Sequence, residues 1–290
     1  MPASMPAPQH QTGTFKSGEM TIFYRRLGTL GRTPLVFVHG LSYFSYDWLS
    51  VASVLGRGRE CAAMDMRGFG DSGWSAQKDY SIPSMAKDIA NLLDHLGWKR
   101  AVLVGHSMGG RSTAYLAANE PQRIAGLVLV DYSPDNAPAG SKRVAETAAA
   151  VPEAFPTIED AMRHFGAPAR KRERYEACLK KVEGGFAVKR DPYFRDQFRR
   201  ALQTGERPKL GVDMWQVLGE VRSPTLVVRA SRSDLFAPET VQKVRSANPR
   251  FTVLEIDSAH DVASDNPGAL VAAIEPFLAK LEEKSHEQQA

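Results

Sequence analysis

Cysteine is scarce in this 290-residue chain: Cys61 and Cys178 stand far apart and in no ligand-like spacing. That excludes a disulfide framework and a thiolate metal site, and points to two free thiols in a reducing compartment. No apolar run reaches the roughly 18 residues needed to span a bilayer. The first residues, MPASMPAPQHQTG, lack the basic and then apolar stretches of a signal peptide. Charge of one sign is not in large excess, with 37 Lys and Arg against 33 Asp and Glu, a net charge of +4. No nucleic-acid-binding motif accompanies that mild excess. Internal repeats are absent as well. The expectation is a cytoplasmic protein with neither nucleic acid nor membrane as partner, a disordered leader over 1–14 and a polar tail over 283–290.

What is present suits a large folded unit: 43% hydrophobic and 24% charged residues. Short apolar runs recur at Leu35–Val38, Cys61–Met64, Ala101–Val104, Gly126–Val130, Thr225–Val228 and Phe251–Ile256. Continuous runs, rather than alternation, mark strands of a parallel sheet covered on both faces. Helical segments lie between them, at Ser84–Leu96 with Gly97 beyond its end, Ser107–Asn119 and Gly268–Leu281. The fold class is therefore α/β, doubly wound and mostly parallel. The middle breaks the alternation. Between Asp131 and Arg222 no strand is expected, only helix starts such as Thr157-Ile-Glu-Asp160, Asp191-Pro192 and the segment Asp213–Leu218. This helical insertion over 134–219, after the run Gly126–Val130, reads as a cap on a core made of 15–133 and 220–282.

Gly105-His106-Ser107-Met108-Gly109 matches G-x-S-x-G and follows a strand and opens a helix. A sharp turn of that kind excludes large neighbours and lifts a serine hydroxyl off the sheet edge, with helix N–H groups beneath it. Serine needs a base. Of seven histidines, His260 in Asp257-Ser-Ala-His260 follows the last strand, at the same sheet edge as Ser107. His106 and His39 read as flanking residues. The base needs an orienting carboxylate, and two fit: Asp131, ending Gly126-Leu-Val-Leu-Val130, and Asp234, following Thr225–Val228. Both keep the order serine, acid, histidine.

His39-Gly40, Asp65-Met-Arg-Gly-Phe-Gly-Asp-Ser72, Gly105–Gly110 and Ser-Ala-His260 together resemble the α/β-hydrolase fold family over residues 15–282. The resemblance implies an eight-stranded sheet and a serine hydrolase acting on a carboxylic ester, lactone or small amide. Within the family the chain is similar to bacterial enzymes with wording like Val130-Asp-Tyr-Ser-Pro134. In those the acid is often the aspartate 24 residues past the nucleophile, which favours Asp131. At Asp234 the usual Gly-x-x-Asp becomes Ala230-Ser-Arg-Ser-Asp234, one residue longer. His39-Gly40-Leu41 resembles the oxyanion loop, whose backbone donors would be the N–H groups of Leu41 and Met108. Arg67 reads as a scaffold residue. No metal and no cofactor is implied.

Three other readings share these residues: a C–C bond hydrolase of ring-cleavage products, a cofactor-free haloperoxidase or perhydrolase, and a small-molecule receptor built on the fold. Dehalogenases and epoxide hydrolases carry an aspartate at the turn, where Ser107 stands. The segment 163–209 holds 14 Lys and Arg against 6 Asp and Glu, a balance of +8, which leaves the rest of the chain near −4. Either this is a solvated helix face, or it draws a carboxylate-bearing substrate to the cleft.

Overall fold

The computed structural model describes residues 8–206 and 210–287. Its strands are β1 (Gln11–Ser17), β2 (Met20–Gly28), β3 (Arg32–Val38), β4 (Arg59–Met64), β5 (Ala101–His106) and β6 (Ile124–Val130). The hairpin β7 (Leu179–Val182) and β8 (Gly185–Val188) follows, then β9 (Thr225–Ala230) and β10 (Thr252–Ile256). Eight of them form one sheet in the order β1-β2-β4-β3-β5-β6-β9-β10. β2 pairs antiparallel with both β1 and β4, and every later pairing in the sheet is parallel.

The apolar runs are continuous because both faces are covered. Leu35 and Phe37 of β3 pack with α1 (Leu49–Leu55) and α11 (Pro267–Glu287), beside Val51, Leu270 and Ile274. Val36 and Val38 enter the opposite layer, with Ile89 and Leu93 of α2 (Ile82–His95), Ala114 of α3 (Met108–Asn119), Val217 of α8 (Met214–Glu220) and Val244 of α9 (Thr240–Ala247). One strand thus feeds two cores on alternate residues, and no position along it favours a polar side chain.

The insertion between β6 and β9 carries α4 (Pro138–Ala150), α5 (Ile158–His164), α6 (Arg172–Cys178), α7 (Pro192–Thr204) and α8. Thr157 and Asp191 cap α5 and α7 as their sequences suggest, each side chain accepting from a first-turn N–H. The insertion departs from the strand-free expectation at β7–β8. Each of these strands has only four residues, and Lys180 and Lys181 point to solvent, so no apolar signal marks them. The glycine pair Gly184-Gly185, both at positive φ, was the available cue. β1 begins at Gln11, inside the expected leader, because it zips onto β2 from Gln11 to Ser17. Residues 1–7 of that leader lie outside the described residues. α11 runs into the expected polar tail as far as Glu287, with 288–290 outside the described residues.

Arg67 is a scaffold residue here. Its Nε and Nη2 donate to the two oxygens of buried Asp88, at 2.6 and 2.8 Å, and Ser17 of β1 donates to the same carboxylate. Removing Asp88 leaves the buried Arg67 only its longer pair with half-exposed Asp79, at 3.5 Å. Asp88→Ala is expected to destabilise the fold by about 3–5 kcal/mol in urea unfolding; a loss under about 1 kcal/mol would show the pair to be solvated.

Candidate active site

Parallel strands deliver their carboxyl ends to one edge, where ligands of open α/β sheets bind. β5 ends at His106, paired with Val130 of β6, so Ser107 and Asp131 leave adjacent strands side by side. The Ser107 N–H still bonds the Val130 carbonyl at 3.1 Å, and the Asp131 N–H bonds that of Val228 at 2.7 Å. Both residues turn off the sheet at positive φ, Ser107 at φ 50° and Asp131 at φ 43°. The turn at Ser107 needs its glycines for close approach. A Cβ on Gly105 would sit 2.2 Å from the Thr113 hydroxyl, and one on Gly109 2.4 Å from the Val38 carbonyl oxygen.

His260 lies in the loop after β10, between these two residues. Its Nδ1 is 2.6 Å from Asp131 Oδ2 and its Nε2 is 3.1 Å from Ser107 Oγ. A carboxylate only accepts, so Nδ1 carries the proton and the lone pair of Nε2 faces the serine hydroxyl. Asp131 is fully enclosed. The Ser233 hydroxyl donates to its Oδ2 at 2.5 Å and the Ala230 N–H to its Oδ1 at 2.9 Å. Asp234 is turned away. It makes a two-pronged pair with Arg143, at 2.5 and 2.8 Å, and that guanidinium holds its carboxyl below the usual range.

The loop after β3 runs against Ser107, since a Cβ on Gly40 would lie 3.2 Å from that of Ser107. Buried His39 accepts from the Met66 N–H at Nε2, so its Nδ1–H donates to the Gly40 carbonyl at 2.7 Å. The Tyr43 N–H reaches the same carbonyl at 3.2 Å. In a trans peptide C=O and N–H point oppositely, so pinning the Gly40 carbonyl also fixes the direction of the Leu41 N–H. Burial lowers the pKa of His39 and keeps it neutral for this task. His106 is more than a flank. Its Nε2 lies 2.8 Å from the His260 carbonyl oxygen, and burial, then the nearby His260, depress its pKa well below the usual value. As a neutral ring, His106 donates to that carbonyl and holds the His260 loop.

Sequence reasoning passed over His39, His106 and Ser233 as working residues. For Ser233 the cue was the extra residue in Ala230-Ser-Arg-Ser-Asp234, which sets a hydroxyl, not a carboxylate, against the site.

The model for the alpha/beta hydrolase fold matches residues 33–267. The chain belongs to the α/β-hydrolase fold family. Relatives covered over most of their length are named hydrolases, esterases or lipases, and it is an enzyme of the hydrolase class. It is 28% identical over 262 residues to a 3-hydroxybutyrate-oligomer hydrolase of Cupriavidus necator, covering 84% of this chain and 87% of that one. It is also 28% identical over 256 residues to an N-formylmaleamate deformylase of Pseudomonas putida, covering 88% and 91%. Among solved structures it is similar to E-2-(acetamidomethylene)succinate hydrolase, with a TM-score of 0.81 and 26% identity over 93% of this chain and 100% of that one. No helix among the described residues is long and apolar enough to cross a membrane.

At φ 50° and ψ −114° the Ser107 backbone sits where only glycine is at ease. Such strain costs about 1–3 kcal/mol, of which glycine's extra unfolded-state freedom offsets part. Ser107→Gly is therefore expected to raise stability by about 1 kcal/mol in chemical denaturation while losing the hydroxyl; a net loss of stability would show the turn to be unstrained.

Proposed function

We propose that the enzyme is a serine hydrolase that cleaves a carboxylic ester, lactone or small amide through an acyl-enzyme, with Ser107, His260 and Asp131 as its triad. The observation that carries this reading is the unbroken pair of hydrogen bonds from Asp131 Oδ2 through the His260 ring to Ser107 Oγ. Ser107 Oγ attacks the substrate carbonyl while His260 Nε2 takes its proton. The oxygen of the tetrahedral intermediate is held by the N–H groups of Leu41 and Met108, each donor being worth about 3–4 kcal/mol of barrier. The imidazolium, stabilised by the carboxylate of Asp131, then protonates the leaving alkoxide or amine, whose bond to carbon breaks. Water adds to the acyl-enzyme by the same route, with His260 as base, and releases the acid and Ser107.

The insertion serves as the cap over this edge, and its basic excess has a place to go. Arg143 pairs with Asp234, Arg174 with Asp47 at 2.5 Å, Lys171 with Asp261 at 3.7 Å and Lys189 with Asp71 at 2.7 Å, each across the boundary between insertion and core. Charge complementarity thus docks the cap. Within the ester and amide class, carboxylate-bearing substrates are favoured. Two relatives are named for work on such compounds, N-formylmaleamate and E-2-(acetamidomethylene)succinate.

The choice of acid is tested with two variants on one chromogenic ester. Asp131→Asn is expected to lower kcat by about 10⁴, because the histidine loses its tautomer and its counter-charge. Asp234→Asn breaks a half-exposed pair and is expected to stay within about fivefold of wild type. The reverse ranking would make Asp234 the acid.

A further inference from the structure

Five arginines are buried among the described residues: Arg59, Arg67, Arg190, Arg195 and Arg229. Four have carboxylates: Arg59 has Glu282, Arg67 has Asp88, Arg195 has Asp196 and Glu153, and Arg229 has Glu255. Arg190, 8% exposed, has none among the described residues. A buried charge without a partner is costly, and buried guanidinium groups are as a rule paired. Among the described residues its side chain makes one hydrogen bond, a long one of 3.4 Å from Nη1 to the carbonyl of Leu41. That residue is the one whose N–H stands in the oxyanion loop. The other four N–H donors of the guanidinium find no acceptor among the described residues, and its nitrogens are not sealed from solvent, so they stay open to a ligand.

The position of Arg190 is built, not incidental. Its own N–H bonds Val188, the Gly70 N–H bonds the Lys189 carbonyl at 2.6 Å, and the Asp191 N–H bonds that of Gly68 at 2.8 Å. The backbone is thus clamped between the hairpin β7–β8 and the loop after β4. Arg190 also lines a cavity of about 200 Å³ with Val151, Pro152, Lys180, Val188 and Arg195. Two acids reach this cavity. Asp191 is already held by Lys78 at 2.8 Å and by the Tyr80 hydroxyl, and Glu153 is largely in solvent. Burial and the nearby Arg195 push the Arg190 pKa down to about 10, so it stays charged at neutral pH.

We propose that Arg190 is a carboxylate-binding residue, seating an anionic group of the substrate between this cavity and the loop after β3, whose Leu41 carbonyl its Nη1 reaches. The assignment rests on the serine-hydrolase reading and narrows its substrate class to carbonyl compounds that carry a second, ionised carboxyl. A bound carboxylate supplies the counter-charge that the fold withholds, and two parallel N–H···O bonds orient it. The contact to the Leu41 carbonyl sets that anchor next to the place where the scissile carbonyl is polarised.

The test compares monoethyl succinate with ethyl butyrate, followed by pH-stat, for wild type, Arg190→Gln and Arg190→Lys. The wild type is expected to favour the anionic ester. The ratio of the two kcat/KM values is expected to fall roughly 10- to 100-fold in Arg190→Gln, the range of a lost charge-assisted hydrogen bond. Arg190→Lys keeps the charge without the fork and is expected to lie between them. A second readout needs no turnover: free succinate is expected to raise the Tm of wild type but not of Arg190→Gln. Because the variant removes an unpaired buried charge, its Tm without succinate is expected to match or exceed that of wild type.

A fall in the ester ratio assigns the site to the substrate. An unchanged ratio, with an Arg190-dependent Tm rise and non-competitive inhibition by succinate, assigns the same site to a free carboxylate. An unchanged ratio with equal succinate stabilisation of both proteins, or of neither, overturns the proposal. If Arg190→Gln fails to fold, Arg190→Lys is judged by the same two readouts. Wild type that turns over neither ester would count against the hydrolase reading alone, since the Tm readout still decides Arg190.

Discussion

The carboxylate of Asp131 joins three strand ends. It leaves β6, takes a backbone N–H from the end of β9, a hydroxyl from the loop beyond it, and the imidazole N–H from the loop beyond β10. Each of these donors removes a different freedom. The Ala230 N–H continues the sheet's own hydrogen-bonding direction past its last residue, and so fixes the depth of the carboxylate. Ser233 closes the loop after β9 around it, since its oxygen also accepts from the N–H groups of Leu235 and Phe236. His260 is then left with one orientation, and that orientation faces Ser107. A buried carboxylate with three charge-assisted bonds is well satisfied and is held in one position.

Around this carboxylate the fold sets further neutral groups that hold backbone in place. His39 and His106 are two imidazoles that burial keeps uncharged, each donating to a carbonyl. One orients the loop after β3, the other the loop of His260. Of the three non-glycine residues at positive φ among the described residues, Ser107 and Asp131 are the two that leave the sheet, and Lys78 lies in the loop before α2. The insertion adds charge in an ordered way. Basic side chains meet acidic ones across its boundary with the core, and within it Arg163 and Arg172 pair with Asp160, Glu159 and Glu176. What stands out against that background is buried Arg190, which has no carboxylate partner among the described residues.

The sheet was legible in the sequence wherever both faces are buried, because two-sided burial writes a continuous apolar run such as Leu35–Val38 or Gly126–Val130. The ribbon β1–β2 and the hairpin β7–β8 were not legible, since their residues are partly exposed and alternate or carry lysines. The serine turn and the placement of His260 near it could be read because a G-x-S-x-G after one strand and a histidine after the last strand fall at the same sheet edge. Asp131 and Asp234 could not be separated by residue type or chain order; their separation depends on which loop Ser233 closes and which aspartate Arg143 captures. The role of the basic segment was illegible for a similar reason. Net charge reports an imbalance, whereas pairing depends on which acids of the core the insertion lands on.

A covalent acyl-enzyme on Ser107 is sought most directly by rapid acid quench of the enzyme mixed with a slowly deacylating ester. Intact-mass and peptide analysis would follow. The expected result is a single acyl adduct on the peptide carrying Ser107, formed with a burst of one equivalent of alcohol, and no adduct in Ser107→Ala. Turnover of the ester with no adduct on Ser107, or an undiminished rate in Ser107→Ala, would contradict the account.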